Sequence, residues 1–261
     1  MDLSNLTISM SLELSFLAGV LGGIPLLYGW LLEDLKPQES KRKTKYLQGS
    51  IFIFFNLLVP GIISYFLITK ISGFLVLPLT IILLVIDGGL LGAANISLTG
   101  HKYLIRLGLA DVFEEEFRKK VEERDLVELA EILEEIYGKD LPKFARKLFV
   151  KISQKTGDKF IWSSSFVAIS TFFFSIKTFS TSWIIVIGGI VVYHTLILAL
   201  VKSANDTSYS DVTLVLEPDK KEQKGKLISL DENYVVIRQD LNLRKINRNK
   251  IIEIRQELWP K

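Results

Sequence analysis

The sequence predicts an α-helical polytopic membrane protein: five transmembrane helices, a cytoplasmic helical insertion and a small C-terminal β-barrel. Three observations point there. Of 261 residues, 49% are hydrophobic and the mean hydropathy is +0.32, a value that sits badly with a soluble domain, whose surface must be polar. The apolar residues fall in five continuous blocks, about 12–32, 48–68, 72–97, 160–176 and 181–202. A hydrocarbon core of about 30 Å needs roughly 20 helical residues, and continuous runs read as helices because backbone groups in lipid must satisfy one another. Finally, the basic residues are sorted. Of 32 Lys and Arg, 30 lie in 33–47, in 98–159 and from Lys202 onward; Lys70 and Lys177 alone occupy the opposite turns. The positive-inside rule then sets the N-terminus outside and the C-terminus in the cytoplasm of a multi-pass cell-membrane protein.

Residues 1–97 hold the first three spans. No positive charge precedes span one and no small-x-small cleavage pattern follows it, so it reads as a span and not a signal peptide. Glu13 lies near its outer end, within reach of water. The loop "EDLKPQESKRKTKY" carries Lys41, Arg42 and Lys43, an inner-face anchor for anionic headgroups worth about 1 kcal/mol per charge. Trp30 and Trp162 fall at the inner interface and Tyr65 and Trp183 at the outer one, as an aromatic belt requires. Span three is long and span four short, which predicts tilt or a break.

Residues 98–159 form the cytoplasmic insertion. "DLVELAEILEEIYG" spaces Leu126, Leu129, Ala130, Leu133, Ile136 and Tyr137 at helical intervals, with Asp125 as N-cap and Gly138 as stop. "DLPKFARKLFVKI" carries a stripe of Leu141, Phe144, Ala145, Leu148, Phe149 and Ile152 beside Lys143, Arg146, Lys147 and Lys151. A basic amphipathic helix of this kind suits a membrane surface. Residues 111–140 hold twelve acids against five bases, and 141–159 six bases against one acid. The two halves can pair as a hairpin or offer a docking surface. Spans four and five occupy 160–202.

Residues 203–261 change character. Short strands are predicted at 211–217, 225–230, 234–238, 241–246 and 251–255, separated by the turns "EPDKKEQ", "DEN" and "NRNK". Five strands in so short a segment suit closure into a barrel, which removes sheet edges. The stretch "GKLISLDENYVVI" followed by "KINRNKIIEI" resembles the Sm-like and SH3-like small barrels. The resemblance implies a Gly starting a bent strand, an acidic turn, and a short last strand that closes the barrel. It covers about a fifth of the chain and implies a fold, not an activity. Helical spans followed by such a domain are also similar in arrangement to small-conductance mechanosensitive channels. Span five, "WIIVIGGIVVYHTLILAL", lacks their regular Gly/Ala pattern, so that likeness is one of fold alone.

Catalytic signatures are sparse. The chain has no cysteine and two histidines, His101 and His194, which excludes thiolate nucleophiles and zinc–thiolate sites. No nucleotide, metalloprotease or nucleophile-elbow motif stands in a usable context. The acidic pairs in "EEEF" and "LEEI" read as solvated helix faces, and His101 as interfacial. No catalytic residue, metal ligand or cofactor is predicted. Residues 203–261 hold eleven bases against ten acids, too balanced a charge for a nucleic-acid partner. Abundant Glu and Lys beside no Cys and 2 Met would suit a thermophile.

The polar residues inside the spans carry more. Asp87, in "LLVIDGGLLGAAN", follows sixteen uncharged residues, Ile71 to Ile86, and an intramembrane ionisable group is by default a functional candidate. Asp87, His194, Asn56 and Ser170 all lie eight to ten residues from the inner ends of their spans, about 12–15 Å deep at about 1.5 Å per residue. They form a candidate ion or proton site. Three readings of Asp87 stay open: it caps a helix broken at Gly88 and Gly89, it hydrogen-bonds a neighbouring helix or subunit, or it pairs with His194. The expected function is transport or channel activity at this polar layer, with cytoplasmic modules for regulation or assembly. The alternative is a non-enzymatic scaffold or accessory subunit, with an intramembrane enzyme third. Expected partners are the lipid bilayer and either further copies of the chain or another membrane protein.

Overall fold

The apolar blocks fold as long helices. The computed structural model describes residues 23–32, 42–113, 120–137, 142–207, 209, 211–218 and 220–256. Helix α1 covers residues 23–31. Helix α2 (Arg42–Ile53), a π-helical turn (Phe54–Leu58) and α3 (Val59–Lys70) run on as one rod. Pro60 accounts for the π turn, because it has no N–H to give the carbonyl four residues back and the ladder must re-register. Helix α4 is Gly73–Arg106. After a 3₁₀ turn at Ala110–Phe113 come α5 (Glu123–Tyr137), α6 (Lys143–Lys155), α7 (Asp158–Thr178) and α8 (Thr181–Asn205). Four helices are long and apolar enough to cross a membrane: Lys43–Lys70, Gly73–Arg106, Asp158–Thr178 and Thr181–Asn205. Residues 12–22 of the expected first span lie outside the described residues, as do Lys41, the "EEEF" stretch, Gly138 and Leu141.

The expected break at Gly88 and Gly89 does not occur. Helix α4 runs through both without interruption. A break in lipid would strand several backbone groups at several kcal/mol each, whereas a helical Gly costs about 1 kcal/mol relative to Ala. Both glycines are exposed, and a Cβ on either would meet nothing within 4 Å.

The chain divides into two units. The first takes the described residues of Met1–Thr99 with Lys155–Asp206. Here α7 packs against both α3 and α8. Its buried seam, Ile161, Ser164, Ala168, Thr171 and Ser175, is mostly small, which lets helices approach closely in a membrane. The turns after α3 and α7 meet at one end, where Lys177 Nζ donates to the Ile68 carbonyl at 3.1 Å and Thr80 pairs with Thr178 at 2.9 Å. At the other end Ser97 pairs with Thr156 at 2.6 Å, and Lys202 bonds Asp158 and Asp206 at 2.8 and 2.9 Å. Helices α1 and α2 cross almost backbone to backbone: a Cβ on Gly49 would lie 1.8 Å from the Pro25 carbonyl oxygen, and one on Gly29 1.8 Å from that of Lys45.

The second unit is Gly100–Gln154 with the described residues of Thr207–Lys261. Its helical core joins Leu104, Leu107, Val112, Leu126, Leu133 and Val150, so α5 and α6 share one interior. Helix α5 begins two residues before Asp125, whose Oδ2 accepts from the Glu122 N–H at 3.2 Å. Asp125 therefore sits in the first turn and is not the N-cap. On α6, Phe144 is 77% exposed while Val150 is fully buried. Of the expected stripe, Leu148 and Ile152 are half-buried, and the side chains of Leu141, Ala145 and Phe149 lie outside the described residues.

The C-terminal strands are β1 (Asp211–Leu216), β2 (Lys221–Leu230), β3 (Tyr234–Gln239), β4 (Asn242–Asn247) and β5 (Ile251–Gln256). They form one antiparallel sheet in the order β4-β3-β2-β1-β5. Strand β2 starts four residues earlier than predicted, pairing Lys221 with Leu216. The 3₁₀ turn Arg248–Lys250 carries β5 across to β1, and among the described residues β4 and β5 stand at the two ends of this order. Val212, Leu214, Val235 and Ile237 form the core of one face. On the other, Arg238 Nη1 donates to the Gly108 carbonyl at 3.2 Å. Gly108 has φ +76°, and a Cβ there would strike Ile228 Cγ2 at 2.0 Å.

Candidate functional site

Helices α4, α7 and α8 each contribute one polar side chain to a single buried chain of hydrogen bonds. His194 stands on the face of α8 that buries Ile187, Val191, Leu198 and Val201, at intervals of three and four residues. Ser164 belongs to the small seam of α7. Asp87 points inward from α4, while its neighbours Gly88 and Gly89 face out. The exposures of Asp87, Ser164 and His194 are 2%, 0% and 0%. His194 Nδ1 lies 2.7 Å from Asp87 Oδ1, and Nε2 lies 2.9 Å from Ser164 Oγ. Asp87 thus faces His194, not the backbone of its own helix.

The chemistry follows from donors and acceptors. An ionised carboxylate only accepts, so with Asp87 charged the Nδ1 proton lies on His194 and points at Oδ1. Nε2 then has two states. As a neutral ring it accepts from the Ser164 hydroxyl; as an imidazolium it donates to Ser164 Oγ. The change takes one proton and no displacement of heavy atoms.

The order carboxylate, imidazole, hydroxyl is also that of an acyl-transfer triad. The surroundings do not suit that chemistry. Ser164 sits within α7, where neighbouring backbone N–H groups are committed to the helix ladder. A triad needs free donors aimed at the developing oxyanion. The fully buried Ser164 thus meets His194 without the free backbone donors that such a triad uses.

No family model, curated protein or solved structure matches this chain.

The other expected site residues lie apart from this chain. Ser170 pairs with Ser64 of α3 at 2.7 Å. Asn56, in the π turn, donates from Nδ2 to the Phe52 carbonyl at 3.1 Å. Equal depth in the membrane did not mean a common face. Ser164 is the member that sequence reasoning missed. Its signal was the spacing Ser164, Ala168, Thr171, Ser175, a seam of small residues beside which the outward-facing positions are larger. Next to His194, Thr195 pairs with the Tyr28 hydroxyl at 2.6 Å, and Tyr28 stacks on Phe52 at 5.4 Å. Among the described residues no group of three or more His, Asp or Glu could hold a metal. Of the surface bases, Lys43, Lys147 and Lys151 are exposed; the side chains of Arg42, Lys143 and Arg146 lie outside the described residues.

Proposed function

We propose that this protein is a transport or channel protein whose Asp87–His194–Ser164 chain binds and relays a proton between helices. One observation carries the reading: an acid and an imidazole, both buried within spans, lie 2.7 Å apart. Ionisable residues in that setting mark ion and proton pathways more often than they mark packing. Five spans with an external N-terminus and a cytoplasmic C-terminus belong to the proposal, supported by the charge distribution. The cytoplasmic unit would regulate or assemble the membrane part. Its Sm-like reading is supported by Gly225 in β2, where a Cβ would lie 2.7 Å from the Arg238 carbonyl oxygen, and by the register shift between Leu227 and Ser229. Exposed Phe144 beside Lys147 and Lys151 supports contact of α6 with the bilayer surface.

A second reading is favoured by the closure of the same network. Asp87, His194 and Ser164 satisfy one another without water, as polar glue between helices would. In that case the protein is a scaffold or accessory subunit, assembled with copies of itself or with another membrane protein. Flux separates the two. Reconstituted in liposomes under a pH gradient and under tension, the protein should carry protons or a proton-coupled solute. A tight vesicle population with fully inserted protein and no such flux sinks the transport reading. A reporter fused after Lys261 should read cytoplasmic; an external signal overturns the topology.

A further inference from the structure

The helices that hold Asp87, His194 and Ser164 bury different groups on the two sides of them. Toward the Lys177 end, one apolar step leads to hydroxyls. On α4, Leu84 lies one turn from Asp87, and Thr80, fully buried, lies two turns away. On α7, Ala168 lies one turn from Ser164, and buried Thr171 and Ser175 and half-buried Thr178 follow. The steps from Ser164 to Thr171, Ser175 and Thr178 are seven, four and three residues, which keep to one helix face. Thr178 meets Thr80 at 2.9 Å. Thr171 and Ser175 donate to the carbonyls of Val167 and Thr171, and a hydroxyl so committed keeps oxygen lone pairs for an incoming proton. The apolar step itself is Ala168 packed with Ile187 and Val191. Toward the Lys202 end the apolar steps are doubled. Ala94 and Leu98 of α4 and Leu198 and Val201 of α8 share one buried cluster with Ile161 of α7. Hydroxyls return only at Ser97 and Thr156, ten residues from Asp87 and eight from Ser164. Thr195 turns instead to Tyr28 of α1, and Asn95 to exposed Tyr193. Among the described residues of this unit, no other Asp, Glu, His, Lys or Arg is buried.

We propose that the Asp87–His194–Ser164 chain exchanges its proton with the Lys177 end of the bundle, through Thr171, Ser175 and the Thr80–Thr178 pair, with Ala168 as the one dry step. Each hydroxyl takes a proton on its oxygen and releases its own, so nothing is oxidised and no group is left charged. The proposed topology turns this end outward. The inference rests on the pair as the proton-binding centre proposed above.

The test is stopped-flow infrared spectroscopy of the full chain in vesicles of one orientation, with an acid jump applied to one side at a time. Asp87→Asn and His194→Gln assign the bands of the pair. A jump on the Lys177 side should reach the pair about a hundredfold faster than one on the Lys202 side, the scale on which a positioned proton-transfer group acts. Thr171→Val should remove most of that advantage at an unchanged melting temperature, and Thr171→Ser should restore it. Ala168→Ser, which places a hydroxyl in the dry step, should quicken the response, and this keeps the route testable if Thr171→Val folds poorly. Ser97→Ala, at the other end, should change neither rate. Equal rates from the two sides overturn the route, as do a faster response from the Lys202 side and a wild-type rate in folded Thr171→Val. A one-sided response in protein that carries no flux would sink transport and keep the route. A pair that takes up a proton from neither side overturns both.

Discussion

Replacing Asp87 in two ways separates its charge from its hydrogen bond. In Asp87→Asn the side-chain oxygen can still accept from His194 Nδ1 at the present 2.7 Å, so α4 and α8 stay tied while the acid is lost. Asp87→Leu removes acceptor and charge together. Interhelical hydrogen bonds in membranes average about 0.6 kcal/mol and reach about 1.7. Stranding a buried donor costs about 1–3 kcal/mol, and His194, at 0% exposure, has no water to turn to. Asp87→Leu should therefore cost about 2 kcal/mol, and Asp87→Asn under about 1. Removing both partners in Asp87→Leu/His194→Leu should recover about 1 kcal/mol of that loss, because apolar replacement of a whole pair is nearly neutral. Reversible unfolding in mixed micelles measures these values, and proton uptake into proteoliposomes measures function. The relay reading requires Asp87→Asn to stay folded and yet lose flux by about a hundredfold, a typical penalty for removing a proton-transfer group. Wild-type flux in folded Asp87→Asn would refute the relay. If Asp87→Asn unfolds as readily as Asp87→Leu, the stability reasoning fails.

Four glycine positions extend the test to the scaffold. Gly88→Ala and Gly89→Ala should leave folding and flux intact and gain up to about 1 kcal/mol of helix propensity, since a Cβ at either meets nothing; loss of flux in folded protein would restore a hinge at that point. Gly49→Leu should force α1 from α2, because even a Cβ there would sit 1.8 Å from the Pro25 oxygen; unfolding in detergent should report a cost of about 1–3 kcal/mol. Gly108→Ala should loosen the second unit by at least about 1–2 kcal/mol, from the left-handed backbone alone, plus the clash with Ile228. Hydrogen exchange should then quicken in β2 and β3 while the spans keep their protection.

Length and hydropathy were enough to place the helices, since lipid permits few alternatives and an apolar block of about 20 residues has little else to become. The four described spans begin and end within a few residues of the predicted blocks except where α2 and α4 run on into polar sequence, which hydropathy does not register. Alternation and turn residues located all five strands. What local patterns could not supply was the strand order, because it depends on where the Arg248–Lys250 turn sends β5. For the same reason the site was only half legible. Depth can be counted along each helix, and this paired Asp87 with His194. Rotation about each axis cannot be counted without knowing the neighbours, so Ser170 and Asn56 were grouped with them and Ser164 was not. Arg238, buried against the Gly108 carbonyl, gave no sequence signal, being one base among many in a polar segment.

The remaining polar contacts between the spans explain why the acid–imidazole pair invites a role beyond packing. Helix α3 is joined to α7 by Ser64 and Ser170, α4 to α7 by Thr80 and Thr178, and α4 to α8 by Tyr193 and Asn95 at 3.0 Å. These links use neutral groups, whose transfer into a membrane costs far less than that of a charge, and the charged contacts of Lys177 and Lys202 fall at the helix ends. Two of the same hydroxyls also bond their own helix: Thr80 donates to the Val76 carbonyl at 2.7 Å and Thr178 to the Phe174 carbonyl at 2.8 Å. The chain therefore already holds a sufficient means of fastening these helices together, and a second Ser or Asn at position 87 would have extended it. An Asp there adds a charge that an amide lacks. On the proposed relay that charge is the property that matters, and the imidazole that pairs with it stands 2.7 Å away.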